Sequence, residues 1–270
     1  MNADVFYRSA PGRALFQIIQ KTGLMKLGAW YLNTPLSRWM IPGYIRHNGI
    51  DMTPYQGQNY PSFAAFFARR RPIEAVSQQR NTLISPCDGL LSVYPVTGDL
   101  SLPMKGSRYR LEDLIPDKQE AERFRDGLCL VFRLQARDYH HFCCFDDGEL
   151  RFTRFIPGQL HSVQPIACET VPVYRLNRRW WSRLDTAHFG TAAQIAVGAM
   201  LVGGVSMEQE QGVLHRGQEM GHFTLAGSTI LLLLTGEVRR RLSLDPSCSA
   251  LGGKETPVAM GEEIGVLRNE

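Results

Sequence analysis

Ala226-Gly227-Ser228-Thr229-Ile230-Leu231-Leu232-Leu233-Leu234 is the stretch on which the reading of this chain turns. Residues 229–234 form an unbroken apolar run bounded by turn residues, far shorter than the roughly 20 residues that cross a bilayer, so the run reads as a strand. The same texture recurs outward from it. Short β-type runs separated by turn residues lie at 82–85, 90–96, 127–134, 149–156, 171–175, 192–205, 222–224 and 263–267, which predicts a mostly β second half. One helical interruption is expected among them, Leu111-Glu112-Asp113-Leu114-Ile115 followed by the charged residues 117–125. No internal repeat is present.

The first third reads differently. Pro, Gly and Asn punctuate residues 33–61, so its helices are expected to be short and broken. Ser62 is a good N-cap for a following helix in which Phe63, Phe66 and Phe67 share one face. Residues 1–50 carry Arg8, Arg13, Lys21, Lys26, Arg38 and Arg46 against the single acid Asp4, a local balance of +5 within a chain of net charge +4. Among these cations stand large apolar groups, including Trp30, Tyr31 and Trp39. Cationic flanks around such side chains suit a helix lying in a lipid interface, and they equally suit an amphipathic cap packed on the main domain. A nucleic-acid arm lacks the dense basic cluster it needs.

Composition limits the classes. With 270 residues, 44% of them hydrophobic and 21% charged, the chain must build a core, and disordered or collagenous states are excluded. No window is long and apolar enough for a membrane span, and no secretory signal is apparent, which gives a cytoplasmic expectation. The six cysteines (Cys87, Cys129, Cys143, Cys144, Cys168 and Cys248) form no C-x-x-C pair and no paired spacing with His, so reduced thiols and no metal site are expected. Nucleophile-elbow, zincin, Walker and Rossmann motifs are absent.

Three clusters carry chemistry. Ser85-Pro86-Cys87-Asp88-Gly89 places an acid in a turn, where by itself Asp-Gly is hairpin chemistry. Asp138-Tyr139-His140-His141-Phe142-Cys143-Cys144 offers histidine, the side chain suited to proton transfer near neutral pH. Gly221-His222-Phe223-Thr224-Leu225-Ala226-Gly227-Ser228 runs into the apolar strand; Gly-Ser there is ordinarily a bulge or tight turn.

In this order, together with Ser62-Phe63-x-x-Phe66-Phe67-x-Arg69, Pro157-Gly158-x-Leu160-His161-Ser162-Val163-x-Pro165, Val197-Gly198-Ala199 and Gly217-x-Glu219-x-Gly221-x-Phe223, the clusters resemble the bacterial type of the pyruvoyl-dependent phosphatidylserine decarboxylase family. The resemblance runs from about residue 12 to the C-terminus. It implies a proenzyme that cuts itself between Gly227 and Ser228 by serinolysis, leaving a β chain of residues 1–227 and an α chain of residues 228–270. Ser228 would become a covalent pyruvoyl cofactor that takes the amine of phosphatidylserine as a Schiff base and accepts electrons as CO₂ departs, giving phosphatidylethanolamine. The +5 balance and the aromatics of residues 1–50 predict a peripheral position on the cytoplasmic face of the cell membrane and contact with anionic lipid, and the resemblance implies pairing of the two-chain unit into a dimer.

The family's Asp-His-Ser relay carries over to Asp88, His140 and Ser228. Many relatives read Tyr-His-x-x-His in the second cluster, and here the second histidine position holds Cys143, so His140 is taken as the base. His161 is a second candidate for touching the head-group carboxylate. Two other classes stay open: an inactive lipid-binding paralogue, and a pyruvoyl-free hydrolase using the same three residues. The expected architecture is α+β, with N-terminal membrane-associating helices over 1–75 and a mainly antiparallel, sandwich-like catalytic domain over 76–270.

Overall fold

The apolar run at 229–234 lies at the centre of the molecule. In the computed structural model, which describes residues 4–72, 76–104, 107–199, 204–225, 228–248 and 254–268, it forms strand Ser228–Leu234 with all seven residues buried. It is hydrogen-bonded along both edges, to Leu128–Leu134 and to Gly190–Val197. Packing on both faces explains why the run is apolar throughout rather than alternating. These strands belong to an eight-stranded sheet ordered Gly212–Leu214, Gly148–Ile156, Arg179–Thr186, Gly190–Val197, Ser228–Leu234, Leu128–Leu134, Gly89–Pro95, Thr256–Val258. All its neighbours are antiparallel, and its two ends do not meet, so it is an open sheet. Two three-stranded antiparallel sheets accompany it: Val205–Met207 with Glu219–Phe223 and His141–Cys143, and Thr82–Ile84 with Glu263–Leu267 and Leu242–Leu244. The architecture is α+β and mainly antiparallel, as expected.

The period of two divides the core. Leu231 and Leu233 join a cluster with Val131, Trp181, Ile195 and the N-terminal Phe6, Tyr7 and Phe16. Ile230, Leu232 and Leu234 join another with Val93, Phe132, Phe142 and Phe223. Each fully buried Leu or Ile contributes on the order of 1.5–3 kcal/mol. Ser228 is in phase with Ile230, so its side chain belongs to the face that Phe142 and Phe223 of the small sheet cover.

The N-terminal helices are short, as the punctuation requires: Asp4–Tyr7, Ala10–Lys21, Leu24–Asn33, Met40–Asn48 and Phe63–Phe67. Gly49, at φ 61°, ends the fourth. Ser62 caps the fifth by accepting from the Ala65 N–H at 3.2 Å, and Phe63, Phe66 and Phe67 pack with Leu32, Ile50 and Leu225. Among the described residues, no helix is long and apolar enough to cross a membrane.

Two expectations are corrected, and one strand appears that the sequence reading did not contain. Residues 171–175 do not form a strand: Pro172 sits at the N-cap of helix Val173–Leu176, which buries Val173 and Tyr174. The run 192–205 is not continuous, because Gly190–Val197 and Val205–Met207 belong to different sheets. Strand Arg179–Thr186 was hidden by its charges, since Arg179 is buried with its guanidinium donating to the carbonyls of Asp113, Leu114, Arg175 and Asn177. The expected domain boundary at 75/76 touches residues 73–75, and the expected cleavage pair includes Gly227; both lie outside the described residues.

Candidate active site

Asp88 owes its place to the glycine after it. Gly89 has φ 150°, and a Cβ there would stand 2.9 Å from the Arg133 carbonyl oxygen, so only glycine lets the chain turn from Asp88 into strand Gly89–Pro95. The Asp88 carboxylate is fully engaged. Oδ1 accepts from Arg71 Nη2 at 2.9 Å and from the Met260 N–H at 2.8 Å; Oδ2 accepts from the Tyr139 N–H at 3.2 Å and from the same guanidinium nitrogen at 3.2 Å. The Arg71 guanidinium also lies 4.9 Å from the centre of the Tyr139 ring. The Pro86 carbonyl accepts from the Cys143 N–H at 2.8 Å, which fastens this turn to strand His141–Cys143.

His140 is buried beside the Phe67 ring, 4.2 Å away between centroids. Its Nδ1 lies 2.9 Å from the Asp138 carbonyl oxygen, and since a carbonyl only accepts, Nδ1 carries the proton. The lone pair therefore sits on Nε2, which is buried and has no hydrogen-bond partner among the described residues. Burial, helped by the Arg69 charge, pushes the imidazole down to about 3, so it is neutral at pH 7. Arg69 itself is buried and braces this loop, donating to the carbonyls of Arg137 and Asp138 at 3.1 Å each. The His140 carbonyl accepts from the Phe223 N–H at 2.8 Å, which extends the pairing of the small sheet by one step. His140 is thus in phase with Phe142, toward the face of the main sheet that holds Ser228.

Ser228 is fully buried at the first position of the central strand, paired with Leu134, and its Oγ has no hydrogen-bond partner among the described residues. A neutral imidazole with an open lone pair and a hydroxyl with no partner therefore share one side of the sheet. The three expected residues are not a hydrogen-bonded chain, because Asp88 spends its oxygens on Arg71 and two backbone N–H groups while His140 takes its orientation from Asp138. What joins acid and base is the backbone, through the Tyr139 N–H.

Cys143 is in phase with His141, not with His140. It packs with Tyr55, Tyr139 and Met260, and burial, with Cys144 and the nearby charge of Asp88, pushes its thiol well up. His161 lies on the other side of the main sheet. Its Nε2–H donates to Gln159 Oε1 at 2.7 Å, so its Nδ1 accepts from the Tyr7 hydroxyl at 3.1 Å; both ring nitrogens are committed. Its own N–H and carbonyl are held by Asn177. The structure thus brings Asp88, Cys143 and the backbone of His140 to one neighbourhood and leaves His161 in another. Arg71 was missed in the sequence because an ion pair between residues 71 and 88 leaves no local pattern; Arg69 was visible only as part of a motif.

The family model described as phosphatidylserine decarboxylase matches residues 62–266. Phosphatidylserine decarboxylase proenzyme 2 of Clostridium acetobutylicum is 37% identical over 262 residues, covering 96% of this chain and 89% of that protein. The phosphatidylserine decarboxylase proenzymes of Clostridium kluyveri and Desulfitobacterium hafniense are 35% and 33% identical, each over 96% of this chain and 90% of the relative.

Proposed function

This chain belongs to the phosphatidylserine decarboxylase family, and from that premise we propose that it cuts itself at Gly227-Ser228 and then converts phosphatidylserine to phosphatidylethanolamine. The observation that carries the reading is the Ser228 hydroxyl, buried at the head of the central strand with no hydrogen-bond partner among the described residues; His140, whose buried Nε2 is likewise open, is the base in this reading.

In the precursor, Nε2 of His140 takes the Ser228 hydroxyl proton while the oxygen adds to the carbonyl of residue 227. The peptide nitrogen leaves as an amine, giving an ester. Loss of the Ser228 α-proton then expels residue 227 as a carboxylate, and water converts the resulting dehydroalanine to a ketone with release of ammonia. The buried, uncommitted residue at 228 fits a pyruvoyl group formed in place. When present, that group supplies an electron sink for the bond to the departing carboxylate. Arg71, Tyr139 N–H and Met260 N–H fix the Asp88 charge beside the loop that carries the base. Phe67 packs on the His140 ring, and the core around Phe142 gives the site an apolar surround.

The N-terminal helices are the lipid-facing part in this reading. Val5, Leu15, Ile18, Leu24, Leu27, Trp30, Leu36 and Trp39 are exposed, within the segment whose balance is +5. Opposite faces of the same helices bury Phe16 and Leu32. Apolar groups among cations fit a helix layer on the anionic cytoplasmic leaflet.

The test is a denaturing gel and a radiometric CO₂ assay on phosphatidylserine vesicles, comparing the wild type with Ser228→Ala. Two chains with CO₂ release, against one inert chain in the variant, is the expected result. Decarboxylation by a single uncut polypeptide would overturn the proposal.

A further inference from the structure

The small sheet has a second face. Phe142 and Phe223 turn toward the main sheet, while His141 and His222, directly opposite one another, turn away from it. Regular alternation would put Glu219 on the Phe223 side. A bulge between Glu219 and Gly221 breaks the alternation, setting Glu219 opposite Cys143 and Gly221 opposite Phe142, and so carries Glu219 to the histidine face. As a result His141 Nδ1 lies 2.7 Å from Glu219 Oε1, and His222 Nδ1 lies 3.9 Å from the same oxygen.

We propose that His141, Glu219 and His222 form a binding site for a divalent transition metal of the zinc class. One donor atom from each lies within 4.8 Å of the other two. Both ring nitrogens of His141 face oxygens that only accept, Glu219 Oε1 and, at 3.3 Å, the Ala68 carbonyl. A neutral imidazole has one N–H to give. With that N–H on Ala68, the Nδ1 lone pair points at a carboxylate oxygen, an arrangement resolved by a cation between them. It is also the arrangement of a ligating histidine whose far N–H is held by a backbone carbonyl. An imidazolium paired with Glu219 would satisfy His141 but leaves a second fact unexplained: His222 Nδ1 is buried and has no hydrogen-bond partner among the described residues.

The rings are held in advance. Tyr139 stacks on His141 at 4.4 Å and 8°, and His141 on His222 at 4.8 Å and 21°. Tetrahedral zinc with bonds near 2.0–2.1 Å needs donors about 3.3 Å apart, so side-chain shifts of ~1.5 Å or less complete the triangle. Glu208 Oε1, 3.9 Å from His222 Nδ1, is placed to give a fourth ligand. Arg70 now spans Glu208 and Glu219 at 2.9 and 3.4 Å; its side chain is 60% exposed and can withdraw when a dication replaces its charge. Two imidazoles with carboxylate oxygen suit zinc rather than magnesium or calcium. Bound there, the ion would clamp strand Glu219–Phe223 to strand His141–Cys143, the pair that presents the His140 backbone.

The test titrates zinc alone into the chelator-stripped full chain by calorimetry, with cobalt as the spectroscopic probe. The expected result is one equivalent per chain, a zinc-dependent rise in melting temperature, and cobalt bands of tetrahedral N/O ligation without a thiolate charge-transfer band. Glu219→Gln, nearly isosteric, and His222→Gln, at a partly exposed ring, should keep the wild-type far-UV circular dichroism and weaken zinc at least about tenfold. Substoichiometric zinc, affinity unchanged in both variants, or a thiolate band assigning the ion to a cysteine would each overturn the site.

Discussion

His140 gives its only N–H to a carbonyl two residues behind it, and that local bond leaves the lone pair aimed at chemistry rather than at structure. On this ground His140→Ala should leave uncut precursor, slowing maturation by about 10²–10⁴-fold, the usual worth of a placed general base, while Cys143→Ala should mature at close to the wild-type rate. Gels taken over a time course of synthesis decide between them; uncut Cys143→Ala beside normally cut His140→Ala would move the role to the thiol. Arg71→Ala removes a charged partner of Asp88, and we expect slower cleavage that Arg71→Lys partly restores, whereas loss of packing alone would not distinguish the two. Asp88, His140 and Ser228 were legible as sequence because each sits in a short motif. Their mutual geometry was not, since the Asp88–Arg71 pair and the Arg69 brace depend on contacts that only the folded chain makes.

At the scale of elements, the clearest joint is the one between the first helix and the loop at 157–165. The Tyr7 hydroxyl donates to His161 Nδ1 and accepts from the Ser162 N–H, so one phenol ties helix Asp4–Tyr7 to the body. Burial holds the His161 imidazole below its ordinary value. In the unfolded chain the ring protonates near pH 6.5, so below that pH the unfolded state binds more protons and stability falls as pH falls, by at most about 1.4 kcal/mol per unit for this group. We expect the melting temperature to drop between pH 7.5 and 5.5, and to drop less in His161→Gln; equal slopes would show that His161 does not contribute. The outward side of the same helices yields a different expectation. Vesicle co-sedimentation should weaken with salt, by on the order of 1 kcal/mol for each cation neutralised, and with Trp30→Ala and Trp39→Ala together. Strand 263–267 was readable at its ends because turn residues bound it. Strand Arg179–Thr186 was not, because its alternation is masked by arginines that find partners only in the tertiary structure.

For the whole molecule, residues 228–270 are not a unit. They supply strand Ser228–Leu234 at the middle of the large sheet, Thr256–Val258 at its edge, and Leu242–Leu244 and Glu263–Leu267 of a second sheet. Of these four only the last two pair with each other; the central strand is flanked on both sides by residues of the first 227. The two chains should therefore stay together on a native gel after cleavage and separate only in denaturant. Denatured processed enzyme should regain structure at a rate that depends on protein concentration, whereas Ser228→Ala should refold independently of it. Refolding of the two-chain form at equal speed across a hundredfold dilution would contradict this. The β character of the second half was visible in its short runs and turn residues, but the order of the strands in this sheet was not, because pairing partners lie as far apart as Gly89 and Val258, 169 residues, and no local pattern encodes them.

The central strand also sets the lifetime of the enzyme. While the chain is whole, the strand finds its slot as a tethered guest, at an effective concentration that can reach millimolar. Once the tether is cut, a molecule that opens must wait for a stray second fragment, at whatever concentration the cell holds. Maturation is then a one-way step in assembly as well as in covalent chemistry: the working form persists only as long as it does not unfold, and a lost one is replaced by new synthesis rather than repaired.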